Sequence, residues 1–168
     1  MEYVIIGIVI IVILLYVITK RNQFNKLQRA VTEEGSNIGI QISKRTACLN
    51  DALNIAKLGH SHEVEGIEKL TAKDQLNQLS YLGQKYPTLN AVSGYGTILN
   101  KALVLDEDIA ASRELLNGNI RIYNDAISAF PGLIVAAILG YKREKFVDED
   151  NIEENKRLDK SDVDFSKF

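Results

Sequence analysis

The stretch His60-Ser61-His62-Glu63 carries residue types that bind a transition metal. Residues two apart on a helix point away from each other, so the two histidines converge only if the stretch forms a turn. A third protein ligand would then have to come from elsewhere in the chain. A metal-dependent factor that uses His60, His62 and Glu63 is therefore one alternative. The simpler interpretation is a solvated turn, with Glu63 near a helix start where the dipole favours a carboxylate.

Other candidate motifs point away from catalysis. Ser93 to Thr97 reads SGYGT, but no lysine follows it, so it does not match a phosphate-binding loop. The single cysteine, Cys48, has no base near it in sequence and is expected to be a small buried apolar residue. No Ser/His/Asp arrangement stands out. The sequence therefore predicts a protein without enzyme activity and without catalytic, cofactor-binding or metal residues.

Three charged residues occupy positions in otherwise apolar helical stripes: Arg45, Asp106 and Arg113. A lone buried charge is costly, so each group needs a partner or water. We expect a polar layer in which Asp106 pairs with Arg113 or Arg45 and helps to set the helix register. Asp106 and Arg113 are two turns apart, which favours a pair between helices. Alternatively, the arginine stems extend along the stripe and reach solvent.

The elements that would position these residues are helices. Apolar residues recur at steps of three and four from Phe24 to Ala56, and again from Val92 to Phe130. A second segment is expected over Glu63–Lys85, where Thr71 with Asp74 could restart a helix, and Tyr86-Pro87 ends it. The fold class predicted is all-α: an N-terminal transmembrane helix that continues into an elongated antiparallel bundle of three to four helices.

The N-terminal segment predicts a membrane anchor over residues 1–21. Tyr3 to Thr19 is uncharged for 17 residues, which is about 25 Å of helix and near the lower limit for crossing a bilayer. Glu2 precedes this run and Lys20-Arg21 follow it, a pattern unlike that of a cleavable signal peptide. Because basic residues lie only on its C-terminal side, we expect the N-terminus outside and the remainder in the cytoplasm.

The rest of the chain divides into a helical bundle over 22–146 and an acidic tail over 147–168. The chain has 168 residues and a net charge of −2, which gives no general attraction to nucleic acid. The tail holds eight acidic and four basic residues and too few apolar ones to pack, so it is expected to be disordered. One cysteine excludes an intrachain disulfide.

A short apolar run, residues 132–141, lies far from the anchor and is too short to span a bilayer. Three interpretations remain open. The run caps the end of the bundle as part of the core, which we favour. It lies in a membrane interface beside the basic residues that follow it. Or it binds a partner.

The chain resembles the LemA family of bacterial membrane proteins. The resemblance covers nearly all of the chain before the tail and is most specific in the downstream half. Its motif positions include Tyr86, Pro87, Asn117, Tyr123, Asn124, Phe130 and Pro131. The family's usual Asp-Leu-Ile-Pro-Asn segment is Ala-Cys-Leu-Asn-Asp here.

The resemblance implies a single-pass membrane protein with an antiparallel helical bundle, and some relatives belong to magnetosome membrane systems. The function expected is a membrane-anchored scaffold or interaction protein that contacts the lipid bilayer and a protein partner or a second copy of itself. A lipid-interface or membrane-remodelling role through the 132–141 run is the main alternative.

Overall fold

The computed structural model describes residues 1–91 and 94–148, and within these ranges the regular structure is helical, without strands. Five α-helices follow in order: α1 (Glu2–His60), α2 (Ala72–Lys85), α3 (Pro87–Ala91), α4 (Tyr95–Ser128) and α5 (Gly132–Leu139). A 3-10 turn, Ile67–Lys69, lies between α1 and α2. The predicted all-α antiparallel bundle with an N-terminal apolar helix is confirmed. The helices form two compact units.

The first unit contains Met1–Gly35 and residues 114–148. Helix α1 contributes Phe24 and Val31 to the core of this unit. Helix α4 contributes an apolar stripe whose residues recur at steps of three and four, as expected from the sequence. The buried members of that stripe are Leu116, Ile120, Tyr123 and Ile127. From α5 the buried residues are Gly132, Val135 and Ala136.

Gly132 lets α5 pack closely in this unit. A Cβ atom at this position would lie 2.8 Å from the backbone oxygen of Ala126 and 3.4 Å from Cζ of Phe24. Because a backbone oxygen cannot move aside as a flexible side chain can, a larger residue would push α5 away from α4. The start of α5 is therefore held against both the end of α4 and Phe24 of α1.

The second unit contains Ser36–Arg113. Its core is a continuous apolar cluster that α1, the 3-10 turn, α2, α3 and α4 all supply. At the start of α4, the Tyr95 ring is fully buried and its hydroxyl donates a hydrogen bond of 2.7 Å to the carbonyl oxygen of Leu79. Burial raises the pKa of Tyr95 to about 12, so the hydroxyl remains a donor at neutral pH.

The second predicted segment differs from the structure in its first part. Thr71 begins α2 as its N-cap, with its side chain accepting from the Asp74 amide, as the sequence indicated. The residues before it, however, form turns and the 3-10 turn rather than an α-helix. Gly66, at φ 88°, takes a left-handed conformation that an α-helix does not accommodate.

The apolar stripe predicted from Val92 to Phe130 also ends earlier in the structure than its periodicity predicts. Helix α4 ends at Ser128, and Phe130 is 82% exposed rather than part of the core. The proline that follows ends the helix and carries Phe130 out of register with the stripe. Val92 at the start of the stripe lies outside the described residues, as does the predicted tail from residue 149 onward.

Candidate functional site

The N-terminal part of α1 has the length and composition of a membrane span. Its most apolar 18-residue window has a mean hydropathy of 2.7, and none of that window is buried inside the protein. The hydroxyl of Thr19 donates a hydrogen bond of 2.8 Å to the carbonyl oxygen of Leu15 on the same helix. This hydroxyl therefore needs no water partner. An apolar helix surface left uncovered by protein is suited to lipid.

Helix α5 has two different faces. Gly132, Val135 and Ala136 are buried in the first unit. Away from this face, three apolar side chains are 52–74% exposed: Leu133, Ile134 and Ile138. The prediction that the run caps the bundle therefore accounts for one face only, and the exposed face is left for lipid or for a partner.

The end of α5 contacts α1 just beyond the apolar span. The Tyr141 ring meets the Phe24 ring edge to face, with centroids 5.2 Å apart and an interplanar angle of 71°. Its hydroxyl also donates a hydrogen bond to Oδ1 of Asn25. A cleft opens beside this contact, lined by Arg21, Asn25, Gln28, Leu139, Gly140, Tyr141, Lys142 and Glu144.

After α5 the chain returns along α4 as an extended segment, residues 141–148, which we call the strap. Asn124 holds it through both backbone groups of Glu144: the amide nitrogen donates to the carbonyl, and the amide oxygen accepts from the N–H, each at 2.9 Å. Asn117 makes the same two contacts with Val147, at 3.0 and 2.9 Å. Each asparagine thus imitates the pairing of a neighbouring β-strand.

The distance between the two asparagines along α4 matches the distance between their partners along the strap. Asn117 and Asn124 are seven residues apart on a helix, about 10.5 Å, and their partners are three residues apart in extended chain, about 10 Å. Tyr123 adds a hydrogen bond of 3.0 Å from its hydroxyl to the carbonyl of Lys142. Burial raises the pKa of Tyr123, which keeps this donor protonated.

The strap gives a structural role to three positions of the family motif: Asn117, Tyr123 and Asn124. Sequence reasoning missed the role because the partners lie 19 to 30 residues away. A signal was present: two asparagines seven residues apart share a helix face, next to the apolar stripe of α4.

We expect Asn124→Ala to release the strap. The substitution leaves the N–H and carbonyl of Glu144 without partners, at a cost of about 1–3 kcal/mol. Hydrogen exchange of the Glu144 amide should accelerate strongly, whereas amides in the core of the second unit should keep their rates. Asn119→Ala on the same helix is the matched control, because Asn119 makes none of the strap contacts. Equal exchange at Glu144 in both variants would contradict the role assigned to Asn124.

The second unit pairs two of the three charged residues of the apolar stripes. Arg45 donates through Nη1 to Oδ1 of Asp106, and the exposed fractions of their side chains are 8% and 28%. Arg113 is partly buried two turns further along α4. Packing of α1 against α4 thus brings Asp106 to Arg45. The effect of this pair on helix register remains a prediction.

The His60–Glu63 stretch forms a structural cluster around Tyr86. The His60 ring stacks on the Tyr86 ring, with centroids 4.0 Å apart. Glu63 accepts from the Tyr86 hydroxyl and from Nζ of Lys85, the latter at 3.2 Å. The Tyr86 hydrogen bond, together with Lys85, lowers the pKa of the Glu63 carboxyl. These contacts tie the end of α1 to the end of α2 and give Tyr86 a role.

The cluster does not bring its histidines together as ligands. His62 is exposed, and the described part of the chain holds no group of three or more His, Cys, Asp or Glu side chains placed to bind a metal ion. Cys48 is buried in the core of the second unit. Ser93 lies outside the described residues. The His60–Glu63 stretch thus makes contacts within the second unit, and the distinctive surface of the first unit is the exposed apolar face of α5.

Three magnetosome proteins are similar in sequence to this chain. The chain is 30% identical over 74 residues to Magnetosome protein MamQ of Magnetospirillum gryphiswaldense. It is equally similar to Magnetosome protein MamQ 1 and MamQ 2 of Paramagnetospirillum magneticum. Each alignment covers 44% of this chain and 27% of the relative, so the chain spans about a quarter of the length of these relatives. No solved structure matches the chain at a significant level.

A family model provides the broader match. It aligns with residues 52–165, more than half of the chain. The aligned range includes most of the second unit, all of α4 and α5, and the strap. The sequence motifs, the helical fold and this match lead to one assignment: the chain belongs to the LemA family.

Proposed function

We propose that the protein is a single-pass protein of the bacterial cell membrane whose helical domain is a scaffold without catalytic activity. The N-terminus lies outside, the helical domain lies in the cytoplasm, and the domain binds a protein partner or a second copy of itself. One observation carries the proposal. The helix that offers an uncovered apolar surface to lipid over its first residues also supplies core residues to the folded domain.

The continuity of α1 is the physical basis of the anchoring. Phe24 is fully buried in the first unit, and Leu49 and Ala52 are buried in the second. Because α1 has no break between Glu2 and His60, the domain cannot leave the membrane without unfolding or cleavage of that helix. Basic residues follow the span at positions 20, 21, 26 and 29, which supports the orientation through the positive-inside tendency.

The polar contacts support a scaffold rather than an enzyme. Arg45 and Asp106 neutralise each other, and Glu63 is engaged by Lys85 and Tyr86. Asn117 and Asn124 hold the strap. Groups used in this way stabilise one arrangement of helices. In the second unit, Leu103 and Val104 are 46% and 55% exposed on α4 and offer an apolar contact surface for a partner.

Photo-crosslinking in intact cells tests the proposal. A photoreactive amino acid at Val104 should form one discrete adduct of defined mass, whereas the same group at the exposed Leu58 of α1 should form much less of it. The substitution Leu103→Asp should abolish the adduct formed at Val104. Absence of any discrete adduct at Val104, or equal adducts at both positions, would count against a scaffold that uses this surface.

Orientation is checked in the same cells by cysteine labelling. Leu58 is 89% exposed, so Leu58→Cys should react with a membrane-impermeant maleimide only after the membrane is opened. Unaltered protein is the control, because its single cysteine is buried. Labelling of Leu58→Cys before the membrane is opened would reverse the proposed orientation.

A further inference from the structure

Helix α5 and the residues before it leave large apolar side chains exposed. Phe130 precedes the helix and is 82% exposed, and Ile138 on the helix is 74% exposed. Leu133 and Ile134 are also exposed, on the side of α5 away from the residues that pack in the first unit. At eight residues, α5 is about 12 Å long, far too short to cross a bilayer.

The contacts of α5 place it at a defined level along α1. Tyr141 and Gly132, at its two ends, both approach Phe24. Phe24 lies five residues beyond Thr19, the last residue of the uncharged run, which is about 7.5 Å of helix. The polar layer of one leaflet has a similar thickness, about 5–8 Å. Helix α5 therefore lies at the level where α1 leaves the bilayer.

The orientation of α5 suits this position. Helix α5 turns by 96° from α4, so it crosses the end of α4 instead of continuing its direction. Its buried face packs on Phe24 and on the end of α4. Since the bundle covers that face, the opposite apolar face points away from the bundle.

The charges near α5 have the sign that an anionic lipid surface attracts. Three exposed basic residues follow the helix directly: Lys142, Arg143 and Lys145. Arg21 of α1 lines the same cleft as Lys142, next to Leu139. An apolar helix face bordered by basic side chains is the pattern of helices that lie in a membrane interface.

We propose that α5, with Phe130, is a second membrane contact of this protein. It lies in the interface of the leaflet from which α1 emerges, with Leu133, Ile134 and Ile138 at the boundary of the acyl chains. The basic residues bind anionic headgroups. This contact rests on the proposed membrane anchoring, and it holds the first unit against the bilayer in one orientation rather than leaving it free to tilt.

Depth-dependent fluorescence quenching of the full chain in vesicles tests the contact. The chain has no tryptophan, so single substitutions report one position each. In vesicles of phosphatidylcholine and phosphatidylglycerol, Ile134→Trp should lose most fluorescence to lipids brominated near the headgroup end of the acyl chain. Ile11→Trp in the span should lose most to bromine near the chain terminus. Leu58→Trp, in the second unit, should lose none.

The three positions separate the two proposals. If Ile11→Trp is not quenched, the anchoring itself is wrong. If Ile11→Trp is quenched and Ile134→Trp is not, the anchoring stands and the α5 contact is overturned. An unquenched but blue-shifted Ile134→Trp, together with crosslinking between copies, would assign the face to a second copy of the chain and also overturn the lipid contact.

A second variant separates lipid contact from misfolding. Leu133→Asp combined with Ile134→Asp places charges on the exposed face only, so the buried face and the strap are unchanged. In this background, Ile138→Trp should lose its quenching while the helical circular dichroism is retained. In the chain without the aspartates, replacement of phosphatidylglycerol by phosphatidylcholine should weaken quenching at Ile138→Trp. Unchanged quenching would overturn the binding of anionic headgroups by the basic residues. Retained quenching in the double-aspartate variant would contradict the contact.

Discussion

Phe24→Ala is expected to destabilise the first unit by about 3–5 kcal/mol, the usual cost of removing a fully buried aromatic side chain. The ring is completely buried, and it is the residue of α1 that both Gly132 and Tyr141 approach. Its loss leaves a cavity between α1 and α5 and removes the edge-to-face contact with Tyr141. Hydrogen exchange of the full chain in detergent micelles should show faster exchange in α5 and in the strap.

Phe130→Ala is the matched control, because the same side chain is removed from a position that is 82% exposed. In micelles its effect on unfolding should remain within about 0.5 kcal/mol, as for other surface substitutions. Similar losses of stability in the two variants would show that Phe24 does not join α5 to α1 as described. In vesicles, by contrast, Phe130→Ala is expected to weaken the lipid contact of α5 without unfolding the unit.

Asp106→Leu is expected to destabilise the second unit by about 3 kcal/mol, near the lower end of the cost of breaking a buried ion pair. The substitution removes the carboxylate to which Arg45 donates, and the Arg45 side chain is only 8% exposed. A guanidinium kept from water without its counter-charge is costly. Thermal unfolding should show a clear fall in Tm, whereas Asp108→Leu, at an exposed position of the same helix, should show almost none.

Substitution of the partner, Arg45, and a double variant test the same ion pair further. Arg45→Met should cost less than Asp106→Leu, because the Asp106 side chain it leaves behind is 28% exposed and can be hydrated. Combining Arg45→Met with Asp106→Leu should recover most of the lost stability, since both charges are then gone. If Asp106→Leu alone gave an unchanged or higher Tm and an unaltered oligomeric state, a role for the pair in helix register would be refuted.

The sequence was sufficient wherever structure depends on neighbours along the chain. The uncharged run from Tyr3 identified the apolar helix, the spacing of three and four identified α1 and the stripe of α4, and Thr71 with Asp74 located the start of α2. Each of these signals lies within a few residues of its effect. The family motifs in the downstream half, from Asn117 to Pro131, led to the LemA family, which the comparison confirms.

Tertiary structure alone decided which distant groups meet. Periodicity placed Asp106 in an apolar stripe, and its distance from Arg113 favoured a partner on another helix. Only the packing of α1 against α4 showed that Arg45 lies within reach of Asp106. The same holds for Asn124, whose backbone partners lie 20 residues away in a segment without regular structure. A periodic pattern of apolar residues shows that one face of a helix is buried. It does not show which other residues bury that face.

The apolar run of α5 shows the same division. Its composition determined that it is a short apolar helix too short to span a bilayer. Composition could not show that Gly132, Val135 and Ala136 face the bundle while Ile134 and Ile138 face outward, because apolar residues occupy both faces and leave no periodic contrast to read. The contact of Tyr141 with Phe24, made across more than a hundred residues of chain, decided where that outward face lies.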